Sequence, residues 1–154
     1  MNDSRLTLRT AGTADAPALA RLAAELGYQA DADIMCRRLT LLAGRSDHAV
    51  FVAERDAAPT VASGVIGWIH VGRLISLEAG ESAQILGLIV GAGARRAGVG
   101  RQLVARAEQW AQACGLDRIV VRSNALRTEA HFFYPALDYV LAKTQRVYVK
   151  PLGG

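Results

Sequence analysis

The sequence predicts a mixed α/β (α+β) domain whose central sheet carries helices on both faces. Strand-like and helical segments follow one another in the order β-α-α-β-β-β-α-β-α-β-β, which gives about seven strands. The chain of 154 residues has the length of one domain, and no repeat or linker divides it. Hydrophobic residues make up 51% and charged residues 21% of the chain, which is typical of a globular protein and excludes a disordered one.

The N-terminal third predicts one strand and two helices. Apolar and polar side chains alternate over residues 5–9, as they do in a short strand. Apolar residues then recur at helical spacing up to Gly27, where a first helix would end. Asp31 or Asp33 would begin a second helix that ends at Gly44.

The rest of the chain predicts strands and helices around one buried strand. Residues 49–54 and 61–71 are rich in β-forming residues and are separated by a turn-like segment, which favours a hairpin. Residues 82–90 end in a continuous apolar run, which is typical of a strand buried on both faces. Four segments follow: a helix over 98–114, a strand over 118–122, a helix over 127–136 and a β-rich stretch over 139–150.

Positive charge is concentrated in one segment. The chain has a net charge of +4, while residues 91–127 contain seven arginines against Glu108 and Asp117, a net charge of +5. This segment therefore indicates an anionic ligand. Few aromatic residues lie among its arginines and it contains no nucleic-acid-binding motif, so we expect no nucleic-acid partner. A small nucleic-acid-binding module is kept as an alternative.

Membrane, export and metal signals are missing from the sequence. The longest apolar run, residues 85–94, is about half as long as a bilayer-spanning helix and contains three glycines. The first residues do not form a signal peptide, so we expect a cytoplasmic protein without a membrane segment. Cys36 and Cys114 lack the spacing of a metal site, so we expect two reduced thiols and no bound metal.

A glycine-rich loop joins the buried strand to the next helix. It contains Gly91-Ala-Gly-Ala followed by residues 95–101, Arg-Arg-Ala-Gly-Val-Gly-Arg. Backbone N–H groups and the positive end of the helix dipole meet there and can bind phosphate. A Walker A loop would need a lysine, but the first lysine of the chain is Lys143. A dinucleotide-binding fingerprint would need a third glycine where the chain has Arg96.

A third pattern fits the loop. Arg95-x-x-Gly98-x-Gly100 is similar to the Q/R-x-x-G-x-G/A loop of the GNAT superfamily of N-acetyltransferases. Downstream, Asn124 and the segment 130–139 resemble the family's strand-Asn and its Ala-x-x-Phe-Tyr-x-x-x-Gly-Phe/Tyr motif. Upstream, residues 50–54 and 65–68 resemble its central hairpin. The resemblance covers essentially the whole chain and implies a GNAT-like fold, with a mixed, mostly antiparallel sheet of about seven strands.

The resemblance implies acetyl-CoA as the cosubstrate and assigns roles to residues of this chain. N–H groups of the loop would bind the pyrophosphate, and the preceding strand would pair with the pantetheine arm. Asn124 would hydrogen-bond that arm or a nearby water, and Tyr134 would protonate or hydrogen-bond the expelled thiolate. The cofactor-binding candidates are Leu88, Ile89, Val90, Arg95, Arg96, Ala97, Gly98, Val99, Gly100, Arg101 and Asn124.

The base that deprotonates the amine is unassigned. Many relatives carry a glutamate for this purpose in the strand, but residues 85–88 are Ile-Leu-Gly-Leu. Glu78, Glu81 and His70 are near in sequence, and each has only a weak claim. Because neither cysteine lies in an activating motif, we expect the amine to attack the thioester directly. A non-catalytic acyl-CoA-binding regulatory protein of the same fold is the alternative.

The segment around Tyr134 differs from the family motif at two positions. Structural roles are also possible for two of the residues to which the resemblance assigns a function. Pro135 removes a helix N–H, so we expect a distorted last turn. Asp138 stands where the family has glycine and tolerates a left-handed backbone. Tyr134 has a structural alternative as a core residue in an aromatic cluster, and Asn124 has one as a helix N-cap.

The acceptor is expected to be a small-molecule amine rather than a protein. Glu25 and Tyr28 lie between the first two helices, which in this family form one wall of the acceptor cleft. With His70 they are the substrate-binding candidates. Trp68 is expected in the core, and His48 is given no role. A homodimer is compatible with the sequence.

Overall fold

A five-stranded sheet organises the first of two units into which the chain divides, residues 1–121 and 122–154. The computed structural model describes residues 5–56, 64–94 and 97–153. The strands are β1 (Leu6–Thr10), β2 (His48–Arg55), β3 (Gly64–Ser76), β4 (Gly80–Val90) and β5 (Ile119–Val121). They lie side by side in chain order, with β1 to β4 antiparallel and β5 parallel to β4. The predicted hairpin is thus β2 and β3, whose connection at residues 57–63 lies outside the described part.

Three helices belong to this unit: α1 (Ala16–Glu25), α2 (Ala32–Leu42) and α3 (Val99–Ala113). A short 3₁₀ turn, Thr13–Asp15, precedes α1. Asp31 rather than Asp33 caps α2, because its Oδ1 accepts a hydrogen bond from the Ile34 N–H at 2.8 Å. All three predicted helices of this unit are therefore present.

Helices cover both faces of the sheet. On one face, α1 packs against the strands through a buried cluster that includes Leu19, Leu22 and Val52. On the other face, the Arg106 guanidinium of α3 lies 4.1 Å from the centre of the Phe51 ring. The backbone of Gly67 approaches α3 so closely that an added Cβ would lie 3.2 Å from Leu103. Alternate side chains of β2 and β3 thus point to opposite helical layers.

An ion-pair network joins β1 to the start of α1. The Arg9 guanidinium donates to both carboxylate oxygens of Asp15, at 2.8 and 2.9 Å, and to Glu54 at 2.8 Å. The N–H of Gly12 donates to the same Asp15 carboxylate at 2.8 Å. The hydrogen bonds from Arg9 hold the pKa of the buried Asp15 below its usual value, although burial alone would raise it.

The second unit contains one short helix, α4 (Thr128–Phe133), and a 3₁₀ turn over Pro135–Leu137. The helix predicted over 127–136 is broken where Pro135 removes its N–H, as expected. Asp138 adopts the predicted left-handed conformation, with φ of 70°.

The prediction of two further strands at the C-terminal end was wrong. Residues 140–153 form no strand, so the sheet has five strands instead of about seven. Their apolar side chains are exposed, among them Val140, Val147, Tyr148 and Val149, at more than four-fifths of the maximum. β-propensity reflects packing against neighbouring strands, and composition alone does not supply such a neighbour.

Candidate functional site

Within the described residues, the outer edge of β4 pairs with another strand along only part of its length. β3 pairs with β4 from Gly80 to Val90, whereas β5 pairs with it only from Ala83 to Ile85. Beyond Ile85, no strand of the described chain pairs with the outer edge. An open strand edge offers N–H and C=O groups to an extended, amide-containing ligand. Leu88 and Ile89, two of the predicted cofactor-binding residues, lie in this half of β4 together with Val90.

A bulge marks the point where this half begins. His70 lies opposite Gly87, but Val71 lies opposite Ile85, so Leu86 is one extra residue in β4. Bulges redirect side chains and are frequent next to active sites. At Gly87 an added Cβ would lie only 2.9 Å from the ring of Trp68. The indole therefore occupies the space that a side chain at position 87 would need.

The loop after β4 is fixed to the sheet at its start and leads to an open helix N-terminus. The N–H of Gly91 donates to the Ile66 carbonyl at 2.8 Å, and the N–H of Ala94 donates to the Gly91 carbonyl at 2.9 Å. Gly98 precedes the first residue of α3 with φ of 79° and provides no side-chain cap. Glycine adopts a left-handed backbone conformation more easily than any other residue because it has no Cβ, which explains the residue type at this position.

The first turn of α3 exposes its backbone while its first side chain is buried. Ala97 and Gly98 are exposed, whereas Val99 is only 1% exposed and anchors the turn beneath the sheet. The first intrahelical bond runs from Gln102 N–H to the Gly98 carbonyl. The N–H groups of residues 99–101 therefore have no partner within the helix and favour an anion. The side chain of Arg101 is exposed; Arg95 and Arg96 lie outside the described residues.

Glu25 lies at the beginning of this loop. Its carboxylate accepts a hydrogen bond from the Ala92 N–H at 3.1 Å, so the end of α1 is attached to the loop. Tyr28, the neighbouring acceptor candidate, is 56% exposed and bonds through its N–H to the Ala23 carbonyl. The structure thus places Glu25 beside the loop and leaves the Tyr28 ring largely in solvent.

Two histidines form a pair on neighbouring strands. His48 Nδ1 and His70 Nε2 are 2.9 Å apart, so one ring donates and the other accepts. Burial, and secondarily the nearby His48, lowers the pKa of His70 to about 4. His70 is therefore neutral near pH 7, and its surroundings disfavour the charged form that it would take on accepting a proton.

A cavity of about 350 Å³ lies between the sheet and helices α1 and α2. Apolar side chains such as Leu19, Leu39 and Val50 form most of its wall, and Trp68 and His70 close it on the β3 side. Its size falls in the range of small-molecule sites.

The second unit contains the remaining candidates. The Asn124 side chain accepts a hydrogen bond from the Leu126 N–H at 2.9 Å. It therefore forms a turn before α4, whose N-cap position is Arg127. The Tyr134 ring packs edge-on against Phe133 and Tyr139, with centroids 4.9 and 5.6 Å away. Burial raises the pKa of Tyr134, and Arg127 lowers it by a smaller amount, so the phenol keeps its proton at neutral pH.

Trp68 and His48 lie at the candidate site, although the sequence predicted no functional role for either residue. Trp68 packs against the buried core cluster, as expected, but it also lines the cavity. Its indole Nε1 is buried without a hydrogen-bond partner in the described part of the chain. The contact of His48 with His70 depends on the pairing of β2 with β3. A tryptophan two residues before a histidine in a strand, which puts both on one face, was the available signal.

The described residues contain no cluster of His, Cys, Asp and Glu that could hold a metal ion. Within the same ranges, no helix is long and apolar enough to cross a membrane.

Comparison with known proteins finds a family model that matches the sequence and solved structures with a similar fold. A family model described as acetyltransferase (GNAT) family matches residues 16–139. No curated protein matches the sequence. Among solved structures, an aminoglycoside N-acetyltransferase in complex with CoA is similar, with a TM-score of 0.82, 17% identity and 98% of each chain covered.

Two further solved structures are similar in fold. A glucosamine-6-phosphate N-acetyltransferase from Arabidopsis thaliana has a TM-score of 0.78 and 15% identity over 94% of this chain and 98% of the other. A transcriptional regulator from Bacillus halodurans has a TM-score of 0.79 and 20% identity over 94% of this chain and 100% of the other.

Proposed function

The chain belongs to the acetyltransferase (GNAT) family, and we propose that it transfers the acetyl group of acetyl-CoA to the primary amine of a small molecule. The observation that carries this proposal is the outer edge of β4 at Leu88 and Ile89, with which no strand of the described residues pairs and which leads to the open N-terminus of α3. A strand edge suits the amides of the pantetheine arm, and a helix N-terminus suits the pyrophosphate. These two features follow one another along the chain, as the two parts of CoA require.

Backbone groups perform most of the cofactor binding in this proposal. Leu88 and Ile89 would pair with the pantetheine through their main chain. N–H groups from Val99 to Arg101 would bind the pyrophosphate, and the left-handed Gly98 gives the backbone its approach to the phosphates. Asn124 is retained as a contact to the pantetheine arm, although its side-chain oxygen already accepts the Leu126 N–H.

The reaction needs two proton movements. The amine must lose its ammonium proton before its nitrogen attacks the thioester carbon, and the breaking C–S bond leaves a thiolate that must be stabilised. Tyr134 would donate its phenolic proton or a hydrogen bond to that sulfur, since its raised pKa keeps the phenol protonated. The proton of the amine would leave through water, because the lowered pKa of His70 makes that ring too weak a base to hold it.

Direct attack by the amine is proposed rather than an acetyl-cysteine intermediate. Cys114 is the C-cap residue of α3 and lies outside any activating motif. Cys36 lies on α2, outside any activating motif. A Cys36→Ser/Cys114→Ser variant should keep its turnover, and loss of turnover in a folded variant would instead indicate a covalent intermediate.

The test is acetyl-CoA binding followed by an amine-dependent release of CoA. Acetyl-CoA should raise the thermal unfolding midpoint, and a thiol reagent should then detect free CoA only when an acceptor amine is added. Aminoalkyl compounds, amino-acid amides, polyamines, aminoglycosides and peptides form the acceptor panel. Activity confined to peptides would refute the small-molecule part of the proposal, and no stabilisation by millimolar acetyl-CoA would refute all of it.

The second candidate function is a non-catalytic acyl-CoA sensor. It is favoured by Gly87, since a residue without a side chain cannot act as a base on β4. The similar fold of a protein described as a transcriptional regulator also supports it. This candidate predicts acetyl-CoA binding without any CoA release across the whole acceptor panel.

A further inference from the structure

The cavity beneath α1 and α2 lies close to the proposed reaction site. Trp68 and His70 line it from β3, and in the sheet they lie opposite Ile89 and Gly87 of β4. Neighbouring strands are about 4.8 Å apart, so these side chains stand one strand away from the edge proposed for pantetheine. The Trp68 ring reaches over Gly87, where an added Cβ would lie 2.9 Å from it. A molecule seated in the cavity would therefore have its reactive end near this half of β4.

The residues that line the cavity favour apolar groups over groups with several positive charges. Most lining residues are aliphatic, including Leu19, Met35 and Leu39, and none of the described lining residues is acidic. A polycationic amine would leave water without gaining a carboxylate partner there, which is unfavourable. The only charged lining residue in the described part is Arg38, which has no carboxylate partner there and would repel further positive charge.

One charged group beside the cavity can recognise an oxygen. Arg38 lines the cavity, is exposed, and can pair with a carbonyl or a carboxylate. The indole Nε1 of Trp68 is too deeply buried to reach a molecule in the cavity, so the Trp68 ring contributes apolar surface only.

We propose that this cavity is the acceptor subsite and that it selects amines with a bulky apolar group and a neighbouring carbonyl or carboxylate, as in hydrophobic amino acids and their amides. This inference rests on the proposed acetyltransferase function and narrows its substrate class. It sets the chain apart from an enzyme for aminoglycosides or polyamines, whose several positive charges the cavity does not match.

Binding is tested first without acetyl-CoA, so that the result does not depend on catalysis. In a Trp110→Phe background, fluorescence reports on Trp68 alone, because the chain has two tryptophans. L-Phenylalaninamide should change that fluorescence saturably, whereas spermidine and kanamycin should not. Saturable binding of kanamycin or spermidine with no response to L-phenylalaninamide would overturn the inference.

Two matched substitutions locate the subsite. Leu39→Trp fills the cavity, and Leu77→Trp makes the same change at a fully exposed position outside it. We expect Leu39→Trp to raise the KM for L-phenylalaninamide at least tenfold, with acetyl-CoA binding unchanged and Leu77→Trp without effect. If both variants keep the wild-type KM, the cavity is not the subsite. If Leu39→Trp fails to fold, the smaller Leu39→Phe replaces it with the same expectation.

Recognition of the carbonyl oxygen has its own test. Arg38→Met keeps the aliphatic part of the side chain but removes the guanidinium. Its KM should rise about fivefold for L-phenylalaninamide and stay unchanged for 2-phenylethylamine, which lacks the carbonyl. Equal effects on both amines would refute the role of the guanidinium. A wild-type protein that does not bind acetyl-CoA would instead refute the proposed function, so the two failures are distinguishable.

Discussion

Replacing Gly98 by alanine separates backbone strain from cofactor binding. Gly98 has φ of 79°, and an added Cβ would meet no atom within 4 Å. The substitution should therefore destabilise the fold only through its left-handed backbone, by roughly 1–2 kcal/mol. If the pyrophosphate approaches this backbone, the Cβ also hinders binding, and we expect the Kd for acetyl-CoA to rise at least about tenfold, which corresponds to about 1.4 kcal/mol.

Gly115 provides a matched control at the other end of α3. It has φ of 78°, and its added Cβ would likewise meet nothing within 4 Å. Gly115→Ala should lose the same stability in urea unfolding but bind acetyl-CoA with the wild-type Kd in isothermal titration calorimetry. If both variants bind acetyl-CoA equally well, the open N-terminus of α3 does not hold the pyrophosphate.

Three further predictions concern other residues. Tyr134→Phe should lower kcat at least about tenfold with little change in the Kd for acetyl-CoA, because the hydroxyl acts mainly in the transition state. As burial raises the pKa of Tyr134, the wild-type pH–rate profile should show no loss of this proton below pH 10. Asp138→Gly should be more stable in urea than Asp138→Ala by about 1 kcal/mol, since φ is 70° there. Asp15→Asn should cost about 2 kcal/mol at pH 7, because charge-assisted hydrogen bonds from Arg9 are lost. The pKa of Asp15 is lowered in the folded state, so this difference is full above about pH 5 and disappears as the pH falls through the lowered pKa.

Each of these three predictions would be contradicted by a specific result. Wild-type turnover in Tyr134→Phe would assign protonation of the thiolate to water and leave the ring a packing role. Equal stability of the glycine and alanine variants at position 138 would show that the backbone there is unstrained. A stability difference for Asp15→Asn that persists unchanged below pH 3 would show that it does not come from the ionised carboxylate.

Local features of the fold could be predicted from the sequence because their causes are local. Pro135 ends α4 since it has no N–H to donate, and Asp138 takes the left-handed turn that its position requires. The end of the β4–β5 pairing at Ile85 could not be predicted, because it depends on how two distant segments diverge. The same holds for the C-terminal stretch, whose β-forming residues form no strand over the described residues 140–153.

The candidate site could be predicted only where it is encoded in consecutive residues. The loop pattern ending in Gly98 and Gly100 indicated an anion site, and Gly98 does precede an open helix N-terminus. Residues 85–88 were interpreted only as lacking a glutamate base, whereas the structure shows Trp68 occupying the space above Gly87. This complementarity joins residues 19 positions apart and depends on strand register, which no single segment of sequence specifies.

A crystal structure of the protein with CoA tests the central claim most directly. We predict the pantetheine arm alongside Leu88 and Ile89 of β4, and the pyrophosphate at the N–H groups from Val99 to Arg101. CoA bound away from β4 and the start of α3, or no CoA bound at millimolar concentration, would contradict the claim.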